Sequence, residues 1–171
     1  EKDLRNQNDF KTQKNSFLVY LAWEERDKII SILNQINGNK FSYYCSIDQE
    51  IQIGNVTVKP FSNRNFKDDL ISCNGLITNA GFQLPAEAIY LGKKILCKPL
   101  LGQPEQEHNA HTLKKLRHAT VCETFTKETI EDWIQNGTQK QELYNDPLDI
   151  MIEMIENPNK DMNEKIAKKW V

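Results

Sequence analysis

The chain has 171 residues, 39% of them apolar and 27% charged, with a formal net charge of −2. That is enough for one soluble domain with a sizeable core and too little for two full ones. The near-neutral balance excludes a bulk nucleic-acid binder, which needs a basic face, and no apolar run reaches membrane-spanning length.

The first 16 residues, "EKDLRNQNDFKTQKNS", carry only Leu4 and Phe10 as large apolar side chains and read as a polar arm or linker. From Phe17 a regular pattern begins. "FLVYLA" is a buried-strand run. It is followed by "EERDKIISILNQI", a helix with Ile29, Ile30, Leu33 and Ile36 on one face and Gly38 just past its end. "KFSYYC" and "VTVKP" are the next two strands, "NFKDDLIS" a short helix and "GLIT" a fourth strand. "PAEAIYL" is helical up to Gly92, and "KILCKP" is the fifth strand. "EQEHNAHTLKKL" is a helix with Ala110, Leu113 and Leu116 inward, "ATVCE" a sixth strand, and "KETIEDWIQNG" a further helix.

This alternation predicts an α/β fold, a doubly wound parallel sheet of six strands with helices on both faces. The domain spans 17–140. Residues 141–171 form a helical extension in which Leu148, Met151, Ile152 and Ile155 make one stripe, packed on the domain or on a neighbour. The cysteines, Cys45, Cys73, Cys97 and Cys122, form no CxxC pair. Three lie in or beside apolar runs, as reduced buried thiols do, which points to the cytoplasm.

A doubly wound sheet binds ligands outside the carboxyl ends of its strands. Four segments fall there: "WEE", "FSNRN", "NAGFQL" and "LLGQPEQE". Asn79 to Leu84 leads directly into a helix, so its backbone N–H groups and the helix dipole form a seat for an anion. Gly81 either lets a ligand approach the backbone or supplies a turn with positive φ. Pro85, with no N–H to offer, suits the first helical turn. Glu87 suits a pair of ribose hydroxyls, or simply the helix dipole of an ordinary strand–helix turn. Glu105 and Gln106, adjacent at a helix start, suit sugar hydroxyls or bulk solvent. His108 and His111 stand one turn apart without a third ligand, and metal sites need three or four; they read as surface histidines. The lysine pairs at 93–94, 114–115 and 168–169 read as solvated positions.

In combination these pieces resemble the donor-binding, C-terminal half of GT-B fold glycosyltransferases, in particular UDP-glucuronosyltransferase-like enzymes and the lipid II-forming N-acetylglucosaminyl transferase. The likeness lies in "TNAGFQLPAEAIYLGKKILCKPLLGQPEQEHNA", where Gly81, Glu87, "LGKK", Glu105–Gln106 and Asn109–Ala110 follow the family's order and spacing. The resemblance implies a Rossmann-like domain that binds a nucleotide sugar, most simply a UDP-sugar. Asn79, Gly81, Phe82 and Gln83 would meet its diphosphate and Glu87 its ribose. Phe61 and Ser62 would seat the base, Glu105 and Gln106 the sugar. Trp23 and Glu24 would flank the diphosphate, although Trp23 by itself reads as a packing residue.

Two departures are visible. Asn79 stands where many relatives have a histidine, and Leu84 and Pro85 replace small polar residues. The resemblance further implies inversion at the anomeric carbon, no obligatory cofactor or metal, and a missing N-terminal domain of the same protein that holds the acceptor and the catalytic base. It also implies peripheral association of the full-length enzyme with the inner face of the membrane, and little turnover by this fragment alone. Two other readings stay open: a UDP-sugar 2-epimerase-like domain, whose run of acids behind the glycine is missing at residues 84 to 86, and a non-catalytic nucleotide-binding module.

Overall fold

The computed structural model describes residues 13–142, 148–159 and 161–169; residues 1–12 of the polar arm lie outside them. The strands are β1 (Ser16–Tyr20), β2 (Lys40–Tyr44), β3 (Ile51–Ile53), β4 (Val56–Lys59), β5 (Gly75–Thr78), β6 (Lys94–Cys97) and β7 (Thr120–Val121). They form one sheet in the order β3-β4-β2-β1-β5-β6-β7. All neighbours run parallel except β3, which pairs antiparallel with β4.

The expected six-stranded parallel sheet is therefore a seven-stranded, mostly parallel one. The extra strand is an edge strand of three residues, all exposed, so it lacks the apolar run that marks a buried strand. It turns into β4 at Gly54, whose φ of 59° lies in the left-handed region that favours glycine. The Asn55 amide locks this hairpin down by donating to the carbonyls of Leu33 and Ile36.

The helices are α1 (Arg26–Leu33), α2 (Asn63–Ser72), α3 (Gln83–Tyr90), α4 (Pro104–Lys115) and α5 (Lys127–Asn136). Alternate residues of each strand feed opposite faces of the sheet. On one face Phe17, Val19, Ile77 and Leu96 pack with Ile29, Ile30 and Leu33 of α1 and with Ile130 and Trp133 of α5. On the other, Leu18, Leu76 and Ile95 pack with Leu70 of α2, Ala88 and Ile89 of α3 and Ala110 of α4. Right-handed crossovers require this split: α1 leads outward from β1, whereas α2, α3 and α4 all lead back the other way. The switch point, where the chain leaves β4 and crosses to β5, lies between β1 and β5.

Two expectations within this domain fail. Lys93 and Lys94 are not solvated. Lys93 is 6% exposed, and its ammonium donates to the carbonyls of Ile71 and Cys73 at the end of α2. Lys94 donates to the carbonyl of Ile134 near the end of α5. Strand alternation sends the two lysines to opposite faces, each to the carbonyl end of a helix, where a cation is favoured. Leu116 is exposed rather than inward, because α4 stops at Lys115 and Leu116 is its C-cap.

Chain contacts separate a second unit beginning at Glu142. It contains α6 (Leu148–Glu156) and α7 (Asn163–Lys169), joined by an ion pair between Lys165 and Glu153. The expected stripe is not its buried face: Leu148, Met151, Ile152 and Ile155 are exposed, and Ile150 is buried. Among the described residues no helix is long and apolar enough to cross a membrane.

Candidate functional site

At the switch point the carboxyl ends of β1, β5 and β6 are bound together by one side chain. The Asn79 Oδ1 accepts from the Ala22 N–H at 2.8 Å, and its Nδ2 donates to the Lys98 carbonyl at 3.1 Å. Asn79 is buried, with both ends of its amide bonded, and it lies among the residues that line the cavity above. Asn109 of α4 donates to the Ala80 carbonyl at 3.1 Å, and buried Ala110 brings α4 close to the sheet. The Gln106 Oε1 accepts from the Leu100 N–H at 3.1 Å. The Asn–Ala and Gln elements of the motif thus hold the loops after β5 and β6 in place.

Above this scaffold lies a cavity of about 200 Å³ lined by Trp23, Gly81, Leu84, Leu100, Gln103 and Gln106, among others. Gly81 has no positive φ, and a Cβ built on it would meet nothing within 4 Å. Of the two roles the sequence allowed this glycine, only open backbone facing the mouth remains. The Gly81–Phe82 turn enters α3 with no side chain capping the helix. Gly81, Leu84 and Pro85 at the start of α3 line the cavity, so it lies at the end of the helix where the dipole favours an anion. Gln83 donates to the Glu87 carboxylate at 3.0 Å across one turn, which orients Glu87 on the outer side of α3.

A second cleft of about 520 Å³ shares Tyr20, Ala22 and Trp23 with the first and continues past Phe61 to Arg26, Tyr43 and Cys45. Phe61, 58% exposed, meets Tyr20 edge-on at a centroid distance of 5.6 Å, and Tyr20 meets Phe66 in the same way at 5.7 Å. Ser62 is the N-cap residue of α2. Burial first, then Cys45 and Glu24, pushes the Tyr43 phenol up to about 12, and burial raises the Cys45 thiol against the pull of Arg26. Neither is an activated nucleophile or base at neutral pH.

The structure brings Trp23, Gly81 and Gln106 to one cavity and Phe61 to the adjoining cleft. Phe82, Gln83 and Glu105 are exposed and Glu87 half-buried, and none of the four side chains is among those lining either cavity. Glu24 lines the larger cleft with its carboxylate paired to Lys98. The packing role read for Trp23 is wrong: it is 89% exposed, with φ 66°. Tyr20 and Gln103 line the cavity, and Lys98 holds Glu24 and Asn79 beside it, without having been singled out. Lys98, directly after the apolar run Ile95–Cys97, was the one legible signal among them. His108 and His111 lie exposed on α4. Among the described residues no group of three His, Cys, Asp or Glu side chains could hold a metal ion.

Similar folds occur in solved structures. The spinosyn forosaminyltransferase SpnP matches with a TM-score of 0.55 at 16% identity, over 80% of this chain and 38% of its own. MurG of Acinetobacter baumannii matches with a TM-score of 0.55 at 20% identity, over 78% of this chain and 43% of its own. The solution structure of ALG13 matches with a TM-score of 0.55 at 14% identity, over 84% of this chain and 95% of its own. The chain thus spans well under half the length of SpnP and MurG, and these identities speak to fold alone. No curated protein matches in sequence. The family model described as glycosyl transferase family 1 matches residues 5–137, most of the chain. The chain belongs to glycosyl transferase family 1, and its fold is that of a GT-B glycosyltransferase domain.

Proposed function

We propose that this domain seats the nucleotide-sugar donor, a UDP-sugar, of an inverting glycosyltransferase. The observation that carries the reading is the Gly81 turn: open backbone at an uncapped helix N-terminus, facing a cavity at the switch point of the sheet. The diphosphate lies against the amides of Gly81, Phe82 and Gln83. The ribose hydroxyls donate to Glu87, the base packs on Phe61 beside Ser62, and the sugar meets Gln106 with Glu105 at the rim.

In the reaction an acceptor hydroxyl oxygen forms a bond to the anomeric carbon as the bond to the diphosphate oxygen breaks. The hydroxyl proton goes to a base on a second, acceptor-binding domain of the protein. The departing nucleoside diphosphate carries the electron pair, and the preorganised amides at the start of α3 stabilise its charge, so no obligatory metal is assigned. We place this chemistry at the inner face of the membrane in the cytoplasm, through peripheral association of the whole protein.

Calorimetric titration with UDP, dTDP, GDP and ADP tests the seat. UDP is expected to bind most tightly, and Glu87→Ala to weaken it tenfold or more. A preference for ADP or GDP, or indifference to the substitution, sinks the assignment.

A further inference from the structure

Trp23 is the most unusual residue at the mouth. The Ala22 N–H on one side of it is held by Asn79, and the Glu24 carboxylate on the other is held by Lys98. Between these anchors Trp23 takes a φ of 66°, a backbone conformation strained for a bulky residue, and its indole stands 89% exposed. Strain of this kind persists where flanking contacts over-determine it, and it gathers at ligand-binding sites. A large exposed ring held this way contributes nothing to the core. It is a surface waiting for a partner.

The sheet order β1-β5-β6 says what stands around it. Gly81 follows β5, with Trp23 of the β1 loop on one side and Gln103 and Gln106 beyond β6 on the other. All four line the 200 Å³ cavity, which is smaller than the roughly 300 Å³ at which pockets begin to enclose a drug-sized molecule. It has room for one ring of a larger ligand. Amide side chains and an indole among its lining residues suit a sugar ring, whose hydroxyls point outward and whose C–H face is apolar.

The geometry points to Trp23 as the platform on which the transferred sugar stacks, opposite Gln103 and Gln106, making it the residue that separates a nucleotide sugar from the bare nucleotide. This rests on the donor reading above. The anchored backbone presents the ring before ligand arrives, so little ordering cost falls on binding.

The chain has three tryptophans, Trp23, the 1% exposed Trp133, and Trp170. A Trp170→Phe background therefore lets acrylamide quenching report on Trp23. The protein is titrated with UDP, UDP-glucose and UDP-N-acetylglucosamine, by quenching and by calorimetry. At least one UDP-sugar should bind five-fold or more tighter than UDP and shield Trp23 from the quencher, while UDP does not shield it. Trp23→Ala should erase that affinity difference and leave UDP within two-fold, and Trp23→Phe should keep part of it. Trp23→Gly, which also relieves the left-handed backbone, should raise the melting temperature while losing the preference, as no packing role would allow.

Equal shielding by UDP, or equal weakening of UDP and UDP-sugar by Trp23→Ala, places the ring on the nucleotide and overturns the proposal. So does a preference for UDP-sugar that the substitution leaves intact, or UDP binding with no preference at all. Failure of UDP itself to bind overturns the donor reading, and this one with it.

Discussion

Gly81 and Asn79 sit two residues apart in the same loop and serve different ends. Asn79 spends both ends of its amide on the Ala22 N–H and the Lys98 carbonyl, which fixes the loop on the sheet. Gly81 makes no such contribution, since a Cβ there meets open space. A substitution at Gly81 should therefore separate binding from stability. Gly81→Ala places a methyl group where a diphosphate would approach the backbone, and should weaken UDP tenfold or more by calorimetry. Stability should stay within about 0.5 kcal/mol, the usual range for a surface change. A matching loss of stability would mean that the glycine is there for the turn. Both residues were visible in the sequence as members of one motif. Their separate tasks were not, because spacing does not tell which way an amide points.

Among the elements, β6 shows how much a strand can organise beyond its own pairing. Ile95, Leu96 and Cys97 alternate between the two cores, while Lys93 and Lys94 reach the carbonyl ends of α2 and α5 on opposite faces. Burial lowers the Lys93 pKa, so the ammonium carries a desolvation cost that its two carbonyl partners offset. Lys93→Ala leaves those carbonyls without the charge-assisted bonds and should cost about 1–3 kcal/mol in urea unfolding. Exposed Lys115→Ala on α4 should change stability by less than about 0.5 kcal/mol. Equal effects would show that Lys93 is no cap. The neighbouring strand is built around the same helix: at Gly75 a Cβ would come within 2.9 Å of the Lys94 carbonyl and of the Trp133 ring.

The core as a whole carries a pH dependence through its thiols. All four cysteines are free. Burial first of all pushes Cys73 and Cys122 up to about 11 and Cys97 up to about 12, from 9.0. Above pH 9 the unfolded chain releases protons that the folded chain keeps, so their stabilisation is complete below pH 9 and is lost as the pH rises through 11 and 12. Each deeply buried thiol contributes a slope of up to about 1.4 kcal/mol per pH unit. Urea midpoints measured at pH 8, 9.5 and 10.5 should fall progressively, and Cys73→Ala with Cys97→Ala should flatten the decline. A flat profile in the unsubstituted protein would contradict this.

Local chemistry was enough for the architecture. Apolar runs, the 3.6-residue periodicity of α1 and the glycines after the helices specify alternating strands and helices, and a parallel sheet follows because βαβ crossovers leave few other topologies. Of the motif around residues 81–110, Gly81 and Gln106 line the cavity, since the loops that carry them toward it each follow a strand, whereas Glu87 and Glu105 do not line it. Only the folded chain decided that β3 joins the edge, that adjacent lysines part to opposite helices, and that Trp23 faces solvent while Asn79 turns inward. Those outcomes depend on partners far apart in sequence, such as Ala22 with Asn79 and Lys93 with Ile71, whose proximity no local pattern encodes.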